Sequence, residues 1–384
     1  MVKLLLVGLI GMLIGVFAAC GGNGDSGNVG GQTAPATQAT AATASEAAST
    51  SSTEANEPEF SIQYTAITRT HPTFEAMERF VQRVDERTDG RVEINMNSYP
   101  ELGIAGPDTL GLLKNGTLSF AMIYSGYVAG EFPLIEMGEL WGVYPDAETQ
   151  GKVIRAVRED EVRMMREEFN SQVILYEFFE NQFIFSKTPV NTVEDLEGLK
   201  VRSHSASLSD LLDGLNMDAQ FVAFSEVYVA LERGILDAGV TAGSAGFGQR
   251  WYEVTDYLVG PIEARGHVIL AMNLDQWNKL PEDIQQILLE EGQKTEEETW
   301  NGTESWTRDS IDANVAAGME YVDFSPEIRE AIGQIAMERV LPNWVKRIGG
   351  PNTVTAAIFN DKVAPLVGVT IDPDGTAKLT SAAP

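Results

Sequence analysis

The stretch from Phe60 to Tyr99, "FSIQYTAITRTHPTFEAMERFVQRVDERTDGRVEINMNSY", decides the fold class. Phe60, Ile62, Tyr64 and Ala66 recur at every second position, so the first eight residues read as a strand with one buried face. From His71 the period changes to that of a helix. Phe74, Met77, Phe80, Val81 and Val84 form one apolar stripe, Pro72 suits the first turn, and Gly90 offers a stop. Val92, Ile94 and Met96 then return to strand spacing. A strand, a helix and a second strand in this order predict a mostly parallel sheet covered by helices.

The alternation continues along the chain. A short helix around Thr109 to Leu113 precedes the strand "TLSFAMIYS", and a long helix from Ala147 to Phe169 leads into "QVILYEFFE", which reads as a strand ending at Glu180. A second series follows. "VEDLEGL" reads as a short helix behind Thr192, "KVRS" as a strand, "SLSDLLDGL" as a helix and "AQFVAF" as a strand. "SEVYVALERG" reads as a helix capped by Ser225, and "ILDAGV" as the next strand. No repeat of about 20–50 residues is present, which excludes a solenoid. At 384 residues and 43% hydrophobic, the chain is long enough for two cores. Two α/β lobes are expected. The balance of 56 acidic to 27 basic side chains gives a formal charge of -29, which repels phosphate backbones and excludes nucleic acid as a partner.

The N-terminus, "MVKLLLVGLIGMLIGVFAAC", has a basic start at Lys3, an apolar run of signal-peptide length, and small residues before Cys20. It resembles a bacterial lipoprotein signal over residues 1–19, with Cys20 as the lipidated residue, although Phe17 stands where leucine is usual. A plain secretory signal and a retained membrane helix are the competing readings. Residues 20–57 are rich in Gly, Ser, Thr and Ala and cannot bury a core, so they read as a flexible tether. With one cysteine in the sequence, no internal disulfide can form.

Five segments, "HPTFEAMERFVQRVDERTDGRVEI", "NGTLSFAMIYSGYVAGEFPL", "VNTVEDLEGLKVR", "FSEVYVALERGILDAG" and "YEVTDYL", run in order and resemble the solute-binding subunits of TRAP transporters. These tripartite uptake systems carry mostly organic acids. The resemblance implies a two-lobed fold of the type II periplasmic-binding-protein kind, with the ligand in the cleft between the lobes and a long helix under both. It places lobe I at 58–178 plus 267–307, lobe II at 179–266 plus 308–370, and a tail at 371–384. Gly292 and Gly302 fall in the long helix and should weaken it by roughly 1 kcal/mol each.

The resemblance also assigns Arg202, in "GLKVRSHSAS", to the family's carboxylate anchor. A planar guanidinium fits that task because it matches two carboxylate oxygens at once. Gln182 falls where some members carry a second arginine, and Thr241 where the family has a ligand-facing asparagine. Both changes lower polar capacity and favour a monocarboxylate, 2-oxo or aromatic, over a dicarboxylate. Phe224 matches a position that packs on ligand, while Tyr124, Tyr127 and Trp141 border the first-lobe side of the cleft. Taken singly, each of these aromatics is better explained by core packing; together they tilt toward a partly apolar acid.

An enzymatic reading has one foothold. "AGSAG", residues 242–246, mimics a nucleophile elbow, so a lipid-anchored hydrolase using Ser244 and His267 is the alternative. Ala242 replaces the first glycine of that elbow, and no Gly-Lys-Ser/Thr follows the glycines to make a phosphate loop. The three histidines, His71, His204 and His267, lack zinc-motif spacing. The sequence therefore favours a non-enzymatic binding protein without metal or cofactor, working outside the cytoplasm, whose partners are an organic acid, the permease subunits and, through Cys20, the membrane.

Overall fold

The computed structural model describes residues 57–380, so the signal, Cys20 and nearly all of the tether lie outside the described residues. Among the described residues no helix is long and apolar enough to cross a membrane.

One nine-stranded sheet organises the chain in the order β2-β1-β3-β8-β4-β7-β5-β6, with β9 paired to β8. The first half contains β1 (Phe60–Ala66), β2 (Val92–Ser98) and β3 (Phe120–Tyr124). The second contains β5 (Lys200–Ser203), β6 (Asp218–Phe221), β7 (Ala238–Ala242) and β9 (Glu320–Asp323). Within each half the pairings are parallel, as the βαβ pattern predicts. The centre differs from that expectation. β4 (Ser171–Ser186) and β8 (Tyr257–Asn273) are antiparallel to each other and to their neighbours β7 and β3. The reason is topological: the chain leaves the first half along β4 and returns along β8, so the two crossing strands must oppose each other.

β4 does not end at Glu180. It runs six residues further, because Asn181 and Gln182 still pair with β8. Register shifts in this pair cluster between Phe178 and Ile184, where the two halves meet. Such bulges bend a strand and re-aim its side chains. Other local differences are smaller. Ser225 lies inside a tight turn, Phe224–Glu226, so it does not cap the helix Val227–Glu232. "VEDLEGL" forms only the turn Glu194–Leu196, and Asp195 accepts from the amides of Asn191 and Thr192 at 2.8 and 3.0 Å.

Cores lie on both faces of the sheet, and neighbours in sequence serve opposite ones. Ile269 packs with Leu113, Ile123 and Val157, whereas Leu270 packs with Ile62, Phe80 and Ile284. In the second half Val259 joins Leu208 and Val240, while Leu258 joins Phe183, Val227 and Trp251. Trp344, Phe359, Val363 and Ile371 belong to the first-half core. The segment around 341–371, expected with the second lobe, is therefore drawn back by its apolar residues. The expected tail begins with a hairpin pairing Val369–Ile371 to Ala377–Leu379.

The helix Glu282–Ala316 is continuous through both glycines. It meets the amide of Tyr176 through Glu296 at 3.2 Å and that of Asn181 through Thr307 at 3.3 Å. Near its other end Asn314 donates to the Gly243 carbonyl at 3.2 Å, so one helix buttresses both halves. Gly292 serves that contact. A β-carbon there would stand 2.8 Å from the Ile174 carbonyl oxygen.

Candidate functional site

The parallel strands of both halves end at a common crevice, the usual place for ligands in open α/β sheets. Ile67 and Thr68 follow β1, Tyr124 ends β3, Arg202 lies near the end of β5, and Thr241 near that of β7. With Gln182 on β4 and Phe224 in the turn after β6, they enclose about 390 Å³ of space not filled by atoms, part of it open to solvent. Arg202 is the one lysine or arginine in this lining.

Arg202 is 1% exposed. Its Nε donates to the Val222 carbonyl at 3.1 Å and its Nη1 to the Val240 carbonyl at 2.7 Å. These bonds fix the plane of the guanidinium without neutralising it. No carboxylate acts on it among the described residues; burial pushes its pKa down, and the phenols of Tyr127 and Tyr124 oppose that. A buried cation with no anion is costly unless a ligand completes it. The Phe224 ring lies 5.7 Å from its Cζ.

His204, two residues on, also borders the cavity, 3% exposed. Burial and then repulsion by Arg202 hold its pKa well below the ordinary value, so the imidazole is neutral. Its Nδ1 is 3.2 Å from the Tyr124 hydroxyl, which donates to Glu139 at 2.5 Å. Ser125 donates to the other Glu139 oxygen. Burial, the largest influence, raises Glu139 to about 8. On the opposite wall the His71 ring packs tilted against Phe179, with ring centres 4.2 Å apart. The His71 Nε2 meets Glu180 at 2.8 Å.

Six of the residues singled out in the sequence, Arg202, Gln182, Thr241, Phe224, Tyr124 and Tyr127, thus come together around one cavity. Trp141 does not reach it. Its indole packs in the second-half core, edge-on to His204, and donates to Ser205 at 3.2 Å. With His204, the residues His71, Phe179, Ile67, Thr68 and Ala245 complete the lining. The buried Glu180 behind them was missed, although an acid inside the aromatic run "YEFFENQFIF" is itself a signal.

The serine hydrolase geometry is not formed. The Ser244 amide donates to Glu180 at 2.7 Å while its hydroxyl has no partner, and no hydrogen bond joins it to His267 among the described residues. His267 is fully buried and stacked on Tyr176, and its Nε2 is 3.7 Å from Glu161. Burial lowers its pKa to about 3.

Comparison with known proteins identifies the family and the fold. Residues 63–347 match the model of the bacterial extracellular solute-binding proteins, family 7. The monocarboxylate 2-oxoacid-binding periplasmic protein of Nostoc sp. is 24% identical over 278 residues, 69% of this chain and 74% of its own length. The 2,3-diketo-L-gulonate-binding periplasmic protein of Escherichia coli K12 is 24% identical over 223 residues, 57% of this chain and 67% of its own. A Bordetella pertussis extracytoplasmic solute receptor binding pyroglutamic acid superposes with a TM-score of 0.73 at 20% identity, covering 80% of this chain and 99% of that one. A TRAP periplasmic solute-binding protein from Desulfovibrio salexigens with bound orotic acid gives 0.73 at 18% identity, with the same coverage. At such identities the superpositions speak for the fold alone, a two-lobed α/β architecture. The family match covers most of the chain, and its members are transport receptors rather than enzymes. This protein belongs to family 7 of the bacterial extracellular solute-binding proteins, the receptors of TRAP transport.

Proposed function

We propose that the protein captures a small organic monocarboxylate, 2-oxo or aromatic, and passes it to the membrane permease subunits of a TRAP transporter. The observation that carries this reading is Arg202, buried, held by two backbone carbonyls and without an acidic partner among the described residues. A carboxylate would complete it with charge-assisted bonds. Gln182 and Thr241 add hydrogen-bonding capacity without charge, which supports one carboxylate rather than two. The relatives named for 2-oxoacid and diketo-gulonate binding are consistent with an organic acid. In this reading the lobes divide near 178/179 and 266/267, close over the ligand about the bulged segments of β4 and β8, and hang from the membrane by a lipid on Cys20.

Thermal melting against a panel of carboxylic acids tests it. A bound acid should raise the melting temperature with the logarithm of its concentration. Arg202→Ala should abolish the rise. An unchanged response in that variant would move the anchor elsewhere, and a flat response to every acid would remove the substrate class.

A further inference from the structure

The Arg202 cavity adjoins a larger space. About 1100 Å³ not filled by atoms, again partly open solvent, lies between the loop from Tyr99 to Pro107 of the first half and the turn from Phe221 to Glu226 of the second. Ile67, Tyr127 and Phe224 line both spaces, so the two adjoin with only these three side chains between them. Tyr127 is held at this boundary. A β-carbon on Gly106 would stand 2.2 Å from its ring, so only a glycine there leaves room for it.

The chemistry of the two spaces differs. The inner one has the buried Arg202; the outer one has no lysine or arginine in its lining, and its one acid is Glu226. A second carboxylate placed there would meet no cation and one like charge. The lining is otherwise largely apolar, including Ile104, Pro107 and Ala223, and Phe221 beside them is 54% exposed. An exposed phenylalanine at the lip of an apolar chamber, adjoining an anion site, fits the uncharged body of a ligand whose carboxylate is bound inside.

We infer that the outer chamber is a second subsite for the apolar body of the same acid, so the substrate class is an amphipathic monocarboxylate, aryl or alkyl, rather than a compact acid. This rests on the carboxylate reading of Arg202. Its carboxylate pairs with Arg202, its chain passes between Tyr127 and Phe224, and its body lies between Ile104 and Phe221.

The test compares dissociation constants of propionate, hexanoate and 3-phenylpropionate for the full mature protein and for two blocking variants, Ala223→Trp and Ala105→Trp. These substitutions come from opposite lips of the outer chamber, and neither residue lines the inner cavity. In the native protein 3-phenylpropionate should bind at least about tenfold more tightly than propionate, since burying a body of that size is worth more than one decade. Each variant should lose about tenfold or more for 3-phenylpropionate while changing propionate less than about twofold. Equal affinities for the three acids in the native protein would overturn the inference and leave the Arg202 reading standing. Equal losses for all three acids in both variants would also overturn it, because a chamber that serves only as a passage cannot discriminate bound bodies. No binding of any acid, with no difference in Arg202→Ala, would overturn the carboxylate reading and this inference with it.

Discussion

His71 and Glu180 form a pair with almost no solvent contact, their side chains 2% and 0% exposed and 2.8 Å apart. The Thr73 amide donates to the His71 Nδ1 at 3.2 Å, which caps the helix Pro72–Arg87 and leaves the ring proton on Nε2 for Glu180. The other Glu180 oxygen accepts from the Ser244 amide at 2.7 Å. One carboxylate therefore ties a helix start to the segment after β7, across the crevice. Burial pushes the Glu180 carboxyl up, but the His71 ring and the hydrogen bonds from His71 and Ser244 outweigh it and hold it below its ordinary value.

Glu180→Gln should therefore destabilise the fold despite its matching shape. Whichever way the amide turns, its NH₂ faces either the His71 ring N–H or the Ser244 N–H, and a donor opposite a donor costs about 2 kcal/mol. Glu180→Ala, which leaves both donors unpaired, should cost about 3 kcal/mol or more. Chemical denaturation of the two variants beside the native protein measures both. Equal stability of Glu180→Gln and the native protein would mean the His71 proton sits on the other nitrogen.

The two glycines of the long helix should respond oppositely to alanine. Propensity alone predicts a gain of about 1 kcal/mol at either site. At Gly292 the new methyl would meet the Ile174 backbone carbonyl at 2.8 Å, and neither helix nor strand can yield cheaply. Gly292→Ala should lower the melting temperature. At Gly302 the obstacle is the Trp306 indole, 2.6 Å away but on a half-buried side chain that can rotate. Gly302→Ala should be neutral or stabilising.

These glycines mark where the sequence is legible and where it is not. Periodicity places β1, the helix Pro72–Arg87 and β2 well, because each has one buried face and clear stops. It fails on β4, buried along nearly its whole length, where an apolar run followed by Glu180, Asn181 and Gln182 reads as a strand and its end. Strand direction has no periodic signature either, so the antiparallel centre is invisible until the path of the chain is known. Around the cavity, Arg202, Thr241 and Phe224 are found through the motifs they sit in, and Gln182 through its spacing ahead of "VNTVEDL". His71 and Glu180 lie 109 positions apart, and nothing local to either names the other. Trp141 is close in sequence to cavity residues yet turns into the core, because an indole that finds both apolar packing and a hydroxyl acceptor has no need of the crevice.

Stability should fall as pH rises from about 6.5 through about 8. Burial raises Glu139 and Glu161 to about 8 each, so the folded protein keeps protons that the unfolded chain releases above its ordinary value of about 4.3. The stability from these groups is present at low pH and lost as pH climbs through the raised values. His204 and His267 are shifted down and act in the opposite sense, but only below about 6.5, where the unfolded histidines still bind protons. Above that point buried carboxyls set the slope, Glu136 and Glu177 being raised by burial as well, and Glu139 and Glu161 each add about 1.4 kcal/mol per pH unit to it. Glu161→Gln, which has no proton to release, should flatten the curve between pH 6.5 and 8. An unchanged slope would show that Glu161 is ionised in the folded protein.

Arg202→Met separates an anchor for ligand from an anchor for the fold. If Arg202 were a structural ion-pair member, removing it would strand a buried acid and cost several kcal/mol. Its protein partners are instead the carbonyls of Val222 and Val240, and no carboxylate faces it among the described residues. Losing those two bonds costs about 1–2 kcal/mol, offset by no longer burying an unpaired charge. A methionine fills much of the same space beside Phe224. The variant should therefore melt close to the native protein when both are free of ligand, yet show no rise with any carboxylic acid. A large loss of stability without ligand would make Arg202 part of the scaffold. Retained stabilisation by an acid would place the carboxylate on another residue of the crevice, with Gln182 and His204 the next groups to change.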